Sequence, residues 1–299
     1  MSAYDNTGSG RLYLAIDIGG SSIKYGVLDE SFSFVHKSKI PSRIFLGGEE
    51  LLNRVMGIIA DMLKQYPLEG VAISTTGAVD SSNGRVLYAD DVMVGYTGTD
   101  FREIIKQKFN LSATACNDVN CLALSQIQFN KGKDFIVVAI GTGIGGGVVI
   151  SDKLYEGYGY SAGEFGLMHL RDGKNWESLC SISALVKTAK EHKLLVSNGR
   201  ELFDLFDADN DTAYRIIDAF YKDMASALAN LIYAFSPQKI IIGGGISARG
   251  DSLVAGFKRY LSMMTDQFYY EKTAIECAVY ENDASMIGAL QHYFIINNE

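Results

Sequence analysis

Apolar residues along this chain come mostly in short runs broken by glycine pairs, with a few longer stretches at helical spacing. Residues 12–17 (LYLAID) are an apolar run halted at Gly19-Gly20, which predicts a strand delivered into a tight turn. A second strand follows over 22–28, then a turn at Asp29-Glu30-Ser31 and a third strand over 32–40. Leu51, Leu52, Val55, Ile58, Ile59 and Leu63 recur at three and four, predicting a helix over 49–66. A buried strand at 70–74 ends at Gly77, a helix covers 101–109, and a short strand covers 112–116. Asn117-Asp118 then caps a helix to about 128, because a side-chain oxygen there accepts orphan amide hydrogens.

After Gly132 the pattern restarts. Residues 135–140 read as a strand, 141–147 as a turn, 148–150 as a returning strand and Asp152-Lys153 as the next turn. An offset of 123 residues sets Gly20 on Gly143 and Asp29 on Asp152, a duplication at domain scale. Later, 239–242 ends in Gly243-Gly244-Gly245 much as 71–74 approaches Gly77. A long helix over 212–235 carries Ile216, Ile217, Phe220, Met224, Leu228, Leu231 and Ile232 on one face and stops at Ser236-Pro237. A strand near 275–280 precedes a final helix over 284–296. These elements predict an α/β protein of two βα domains, an N-terminal one over 1–122 and a C-terminal one over 123–283. The last helix, within 284–299, is expected to return to the first domain.

The 299 residues suffice for two modest cores. A net charge of −8 without a Lys/Arg cluster argues against nucleic-acid binding, which requires phosphate neutralisation. No apolar run reaches the ~18–20 residues of a membrane span. The first eleven residues lack the basic start and apolar stretch of a signal peptide, so a short disordered lead and a cytoplasmic chain are expected. Cys116, Cys121, Cys180 and Cys277 show no paired spacing, which predicts reduced thiols rather than a zinc ribbon. His36, His169, His192 and His292 form no ligand spacing either.

Three glycine clusters carry candidate chemistry. In Asp17-Ile18-Gly19-Gly20-Ser21-Ser22 the glycines let backbone amides approach an anion, and the hydroxyls add donors. An acid at that strand end can hold Mg²⁺ through water. Alone, the segment equally describes a hairpin with an aspartate at its turn. Gly141-Thr142-Gly143-Ile144-Gly145-Gly146-Gly147 contains G-x-G-x-x-G, but a dinucleotide fingerprint needs a helix next, and 147–150 is β-branched. No G-x-x-x-x-G-K-[ST] occurs. Gly243-Gly244-Gly245 offers backbone without Cβ to a nucleobase or ribose, or simply makes a tight turn. Asp118, opening a helix at a strand end, suits a base for phosphoryl transfer, against the alternative of a plain N-cap. Glu164, among small residues 161–166, can accept two sugar hydroxyls or be a solvated loop acid.

Taken in order, these motifs resemble the ROK family of sugar kinases and repressors, within the actin/hexokinase-like (ribonuclease H-like) superfamily, over about 12–294. DIGGSSIKYG at 17–26 is similar to the first phosphate motif, which implies Asp17, Gly19, Gly20, Ser21, Ser22 and Lys24 as phosphate-side residues. Thr76-Gly77-Ala78-Val79-Asp80 is similar to the sugar-side P-G-x-V-D, with Thr76 for proline, and brings in Gly77. Asn117-Asp118-Val119-Asn120 resembles N-D-A-N, implying Asn117 as sugar ligand and Asp118 as base. GTGIGGG at 141–147 resembles the second phosphate motif, implying Gly141, Thr142, Gly143 and Gly145. AGEFG at 162–166 resembles the sugar loop, and IIIGGGIS at 240–247 the adenosine motif with Gly243, Gly244 and Gly245.

The resemblance implies two domains around an interdomain cleft and ATP-dependent phosphorylation of a hexose or hexoside at the 6-hydroxyl. Glucose, a β-glucoside or N-acetylmannosamine would be the type of acceptor. It further implies Mg²⁺ at Asp17 and a homodimer, with no nucleic acid or membrane as partner. One departure is large: Leu167 stands at the family's zinc-ligating histidine and the stretch that follows it holds Cys180 alone, so no structural zinc is expected. The stretch 175–181 looks like that of a zinc-free branch, where Glu177 stands for a second sugar-binding glutamate and Trp176 is read as packing. Two rivals stand beside the kinase. A sugar-sensing repressor would need an N-terminal helix-turn-helix, for which eleven residues leave little room; a non-catalytic sugar-binding protein would have no use for Asp118.

Overall fold

The computed structural model describes residues 10–89 and 93–297, so the lead expected at residues 1–11 lies almost wholly outside the described residues. The chain forms two compact units, one of the residues up to Ser125 together with those from Ser285 on, the other Gln126–Ala284.

In the first unit, β1 (Leu12–Ile18) is buried along its whole length, as its unbroken apolar run requires of a central strand. β2 (Ser22–Asp29) pairs with it antiparallel, and β3 (Phe34–Pro41) forms the edge, with exposed Lys37 and Lys39. α1 (Gly48–Leu63) buries Leu51, Val55, Ile58 and Ile59 of the stripe read from the sequence, with Leu52 and Leu63 only partly buried and Met56 and Met62 buried in addition. β4 (Leu68–Thr75) pairs parallel with β1, and a small hairpin of β5 (Ala78–Asp80) and β6 (Arg85–Tyr88) follows. α2 (Phe101–Phe109) starts at Asp100, whose Oδ1 accepts the Glu103 amide at 2.9 Å, and ends on left-handed Asn110. β7 (Ser112–Asn117) and α3 (Asp118–Ile127) complete a sheet of order β3-β2-β1-β4-β7. Since β1, β4 and β7 are parallel, their carboxyl ends share one edge, the place where open α/β sheets bind ligands.

The second unit repeats this plan. β8 (Phe135–Ile140), β9 (Ile144–Ile150) and β10 (Lys153–Tyr155) form the meander. A hairpin of β11 (His169–Arg171) and β12 (Lys174–Asn175) leads into α4 (Trp176–Cys180), α5 (Ile182–Glu191) and α6 (Gly199–Asp207). α7 (Asp211–Phe235) buries the apolar face named above and ends at left-handed Ser236, whose amide bonds Ile232 O at 2.8 Å. β13 (Lys239–Gly243), α8 (Asp251–Met264), α9 (Gln267–Tyr270) and β14 (Ala274–Cys277) give the order β10-β9-β8-β13-β14. α10 (Ala284–Asn297) packs against α3 so closely that a Cβ on Gly288 would collide with the Cys121 carbonyl.

Two expectations need correction. The turn after β8 is shorter than 141–147: Ile140 already pairs with Ile144, and Gly145, Gly146 and Gly147 are strand residues opposite Ala139, Val138 and Val137. These glycines looked like a loop because they lack β propensity; the strand keeps Gly146 because Phe165 occupies the space of its side chain. The final strand also stops at Cys277 rather than 280. No helix among the described residues is long and apolar enough to cross a membrane.

Candidate active site

At the carboxyl edge of the first sheet, Asp17 faces Ser74 across the β1–β4 register, and Thr75 faces Asn117 across β4–β7. Asp17 is nearly buried; Ser74 Oγ donates to its Oδ1 at 2.8 Å, and Lys24 Nζ lies 3.4 Å from its Oδ2. A buried carboxylate requires such partners. The turn beyond is fixed by Gly19 N–H donating to Ser22 O at 3.1 Å. Ser42 ties it down further, donating through its amide to Ser21 O at 3.1 Å and through Oγ to Gly20 O at 2.6 Å. Gly20 and Ser21 are left exposed.

Asn117 uses both ends of its side chain. Its Oδ1 caps α3, accepting the Val119 and Asn120 amides at 2.9 and 3.0 Å, while Nδ2 donates to Gly77 O at 3.0 Å. Gly77 sits at φ 96°, and a Cβ there would strike the Tyr88 carbonyl, so no other residue fits. Asp118 is half-buried at the first position of α3, where its Oδ1 accepts the Val119 amide at 2.9 Å. Beside it lies fully buried Tyr96, whose hydroxyl bonds that of Thr75 at 2.7 Å; burial, and secondarily the Asp118 charge, push the Tyr96 phenol up. Ser74, Thr75, Tyr96 and Ser42 were not found by sequence reasoning, because each reaches the site through long-range pairing that no local motif encodes.

In the second unit β8 and β13 are parallel neighbours, so the 141–143 turn and Gly243–Gly245 emerge side by side. Gly141 N–H donates to Gly143 O at 2.9 Å, and Gly141 O accepts the Ile182 amide at 2.9 Å. A Cβ on Gly141 or Gly245 would meet open space, so both backbones are open to a ligand. Gly244, at φ 83°, instead lies against the Ile140 carbonyl and is needed for the turn itself. Thr142 is exposed on the same turn. Glu164 is exposed as a residue, yet partial desolvation of its carboxyl, and secondarily the Glu177 charge, raise its pKa. Glu177 Oε2 accepts the Ile144 amide at 2.8 Å. Trp176 is buried, with Nε1 3.1 Å from Met224 Sδ: it packs.

Among the described residues no group of three or more His, Cys, Asp or Glu side chains is arranged to hold a metal ion. Asp17 is one carboxylate with both oxygens engaged. That fits Mg²⁺ held through water, with phosphates providing the remaining oxygens, and does not fit an all-protein cage.

The ROK family model matches residues 13–293. A β-glucoside kinase of Listeria monocytogenes is 30% identical over 295 residues, spanning 93% of this chain and 96% of that protein. The structure of a ROK family protein from Streptococcus pneumoniae in complex with sucrose aligns with a TM-score of 0.83 at 26% identity, over 96% of this chain and 99% of that one. A ROK family glucokinase from Streptomyces griseus, in complex with glucose and AMPPNP, shares the fold with a TM-score of 0.81 at 24% identity, over 94% and 98% of the two chains. With its motifs at matching strand ends of two like-ordered sheets, the chain belongs to the ROK family and has its actin/hexokinase-like fold.

Proposed function

We propose that this chain is an ATP-dependent sugar kinase that phosphorylates the 6-hydroxyl of a hexose or hexoside of the glucose, β-glucoside or N-acetylmannosamine type. The observation that carries the reading is the register of β1, β4 and β7, which sets Asp17, Asn117 and Asp118 on one sheet edge. The kinase named among the relatives supports the reaction class.

In the first unit, Gly20, Ser21, Ser22 and Lys24 present amides, hydroxyls and a cation to phosphate oxygens, on a turn that the Gly19 amide closes by bonding Ser22 O. In the second, Thr142, Gly143 and Gly145 do so with amides and a hydroxyl, on a turn that the Gly141 amide closes by bonding Gly143 O, and Gly243–Gly245 accept the adenosine part. The second hydrogen of Asn117 Nδ2, with Gly77 beside it, meets a sugar hydroxyl, and the Glu164 carboxylate accepts others; Glu177, which the resemblance offered as a second sugar acceptor, spends Oε2 on the Ile144 amide instead. Mg²⁺, when bound through water at Asp17, neutralises charge on the phosphates. Asp118 takes the proton as the sugar oxygen forms its bond to the γ-phosphorus; the bond from that phosphorus to the β–γ bridging oxygen breaks, and ADP leaves with the electron pair. The same reading makes the protein a cytoplasmic homodimer.

Coupled detection of ADP release across a panel of hexoses, N-acetylhexosamines and β-glucosides tests this. A sugar-dependent rate with at least one member is expected. ADP release that no sugar on the panel stimulates contradicts the reading.

A further inference from the structure

The loop bearing Glu164 and the turn bearing Gly143 are packed as one body. The Ile144 amide, immediately after the turn, donates to Glu177 Oε2 at 2.8 Å, and a Cβ on Gly143 would fall on that same oxygen. A Cβ on Gly166 would strike the Ile144 carbonyl, and one on Gly163 the Gly146 carbonyl. Glycines here therefore serve close packing of loop on strand, in addition to any approach by phosphate. Glu177 itself is held from below: Asn175 caps α4 by accepting the Ser178 amide at 2.9 Å, and buried Trp176 anchors the helix on α7. Its carboxylate is near enough to Glu164 to raise the pKa of that residue.

We propose that Glu177 is a positioning residue. By accepting the Ile144 amide it locks the Glu164 loop to the 141–143 turn, so that sugar and nucleotide binding in this unit reinforce each other. The inference rests on the reading above, which gives sugar to Glu164 and phosphate to the turn. Occupying either side orders the shared body and lowers the ordering cost for the other. The lock depends on reach and on an acceptor oxygen, whereas a direct contact to sugar would depend on the carboxylate charge.

Calorimetric titration with a non-hydrolysable ATP analogue, without sugar and at saturating best sugar, separates these cases. The wild type is expected to bind the analogue about fivefold or more tightly with sugar present. Glu177→Gln keeps both reach and acceptor and is expected to preserve that factor. Glu177→Asp keeps the charge but is one methylene short of the amide; the factor is expected to fall below about twofold, and analogue binding without sugar to weaken. The opposite pattern, Asp coupled and Gln uncoupled, overturns the proposal, as does a wild type whose analogue affinity ignores sugar. A wild type that phosphorylates a sugar without such coupling refutes only this inference. One that phosphorylates none refutes the kinase reading, and this inference with it.

Discussion

Glu164 carries a conflict between binding and stability that can be measured. Its pKa is raised in the folded chain, first by desolvation and then by Glu177, so the charged form is less favourable folded than unfolded. The stabilising effect of its protonated form is complete below the unfolded pKa of about 4.3 and is lost as pH rises through the higher folded value. At neutral pH the charge therefore destabilises. Glu164→Gln is expected to raise Tm at pH 7 and to lose that gain at pH 4, while sugar KM rises; thermal unfolding at the two pH values with steady-state kinetics checks this, and a lower Tm at pH 7 contradicts it. The sequence singled out Glu164 and Glu177 as sugar ligands, yet not the Glu177 bond to the Ile144 amide, because that depends on how α4 docks beside β9. Asn117 and Asp118 were legible because a strand end followed by a cap is a local pattern. Ser74 was not, because its tie to Asp17 exists only once β1 and β4 are in register.

Among the elements, α3 is set by what packs on its back. α10 crosses it with Gly288 against the Cys121 carbonyl, and Ser285 Oγ donates to Asp118 O at 3.3 Å. Gly288→Ala pushes a methyl into backbone that cannot yield cheaply, and overpacking of this kind costs roughly 1–3 kcal/mol or more. The expected result is a loss of at least about 2 kcal/mol in urea unfolding, with kcat reduced because the helix that aims Asp118 has shifted. Unchanged stability contradicts this packing. The two glycine hairpins were both legible, the first to within a residue, with β2 starting at Ser22 as read; the second was not legible in length, since only three residues, 141–143, separate the paired Ile140 and Ile144. Turn length depends on which residues pair, and glycine-rich strand and glycine-rich loop look alike until the partner strand is known. The helices α4–α6, α8 and α9 were likewise not read from the pattern, although α8 buries Leu253, Val254, Phe257, Tyr260 and Leu261 at regular helical spacing.

For the molecule as a whole, the repeat in sequence corresponds to two five-stranded sheets of the same order, each with glycine turns at the ends of parallel strands. Duplication and motif order together made the fold legible, where any single motif was ambiguous. Leu167, with Cys180 the single cysteine in the stretch after it, predicts that purified protein holds less than ~0.1 zinc per chain by plasma emission spectrometry after dialysis against chelator; one equivalent retained contradicts this. The central claim is that Asp118 is the base of a sugar kinase, and Asp118→Asn tests it most directly. Asn117 caps α3 and an asparagine at 118 can accept the Val119 amide as Asp118 does, so a purely structural Asp118 would leave both activity and stability almost unchanged on substitution. As general base its loss is expected to lower kcat by roughly 10²–10⁴-fold on the best sugar, with a much smaller change in sugar KM and an unaltered fold. A variant that keeps most of the wild-type kcat contradicts the account.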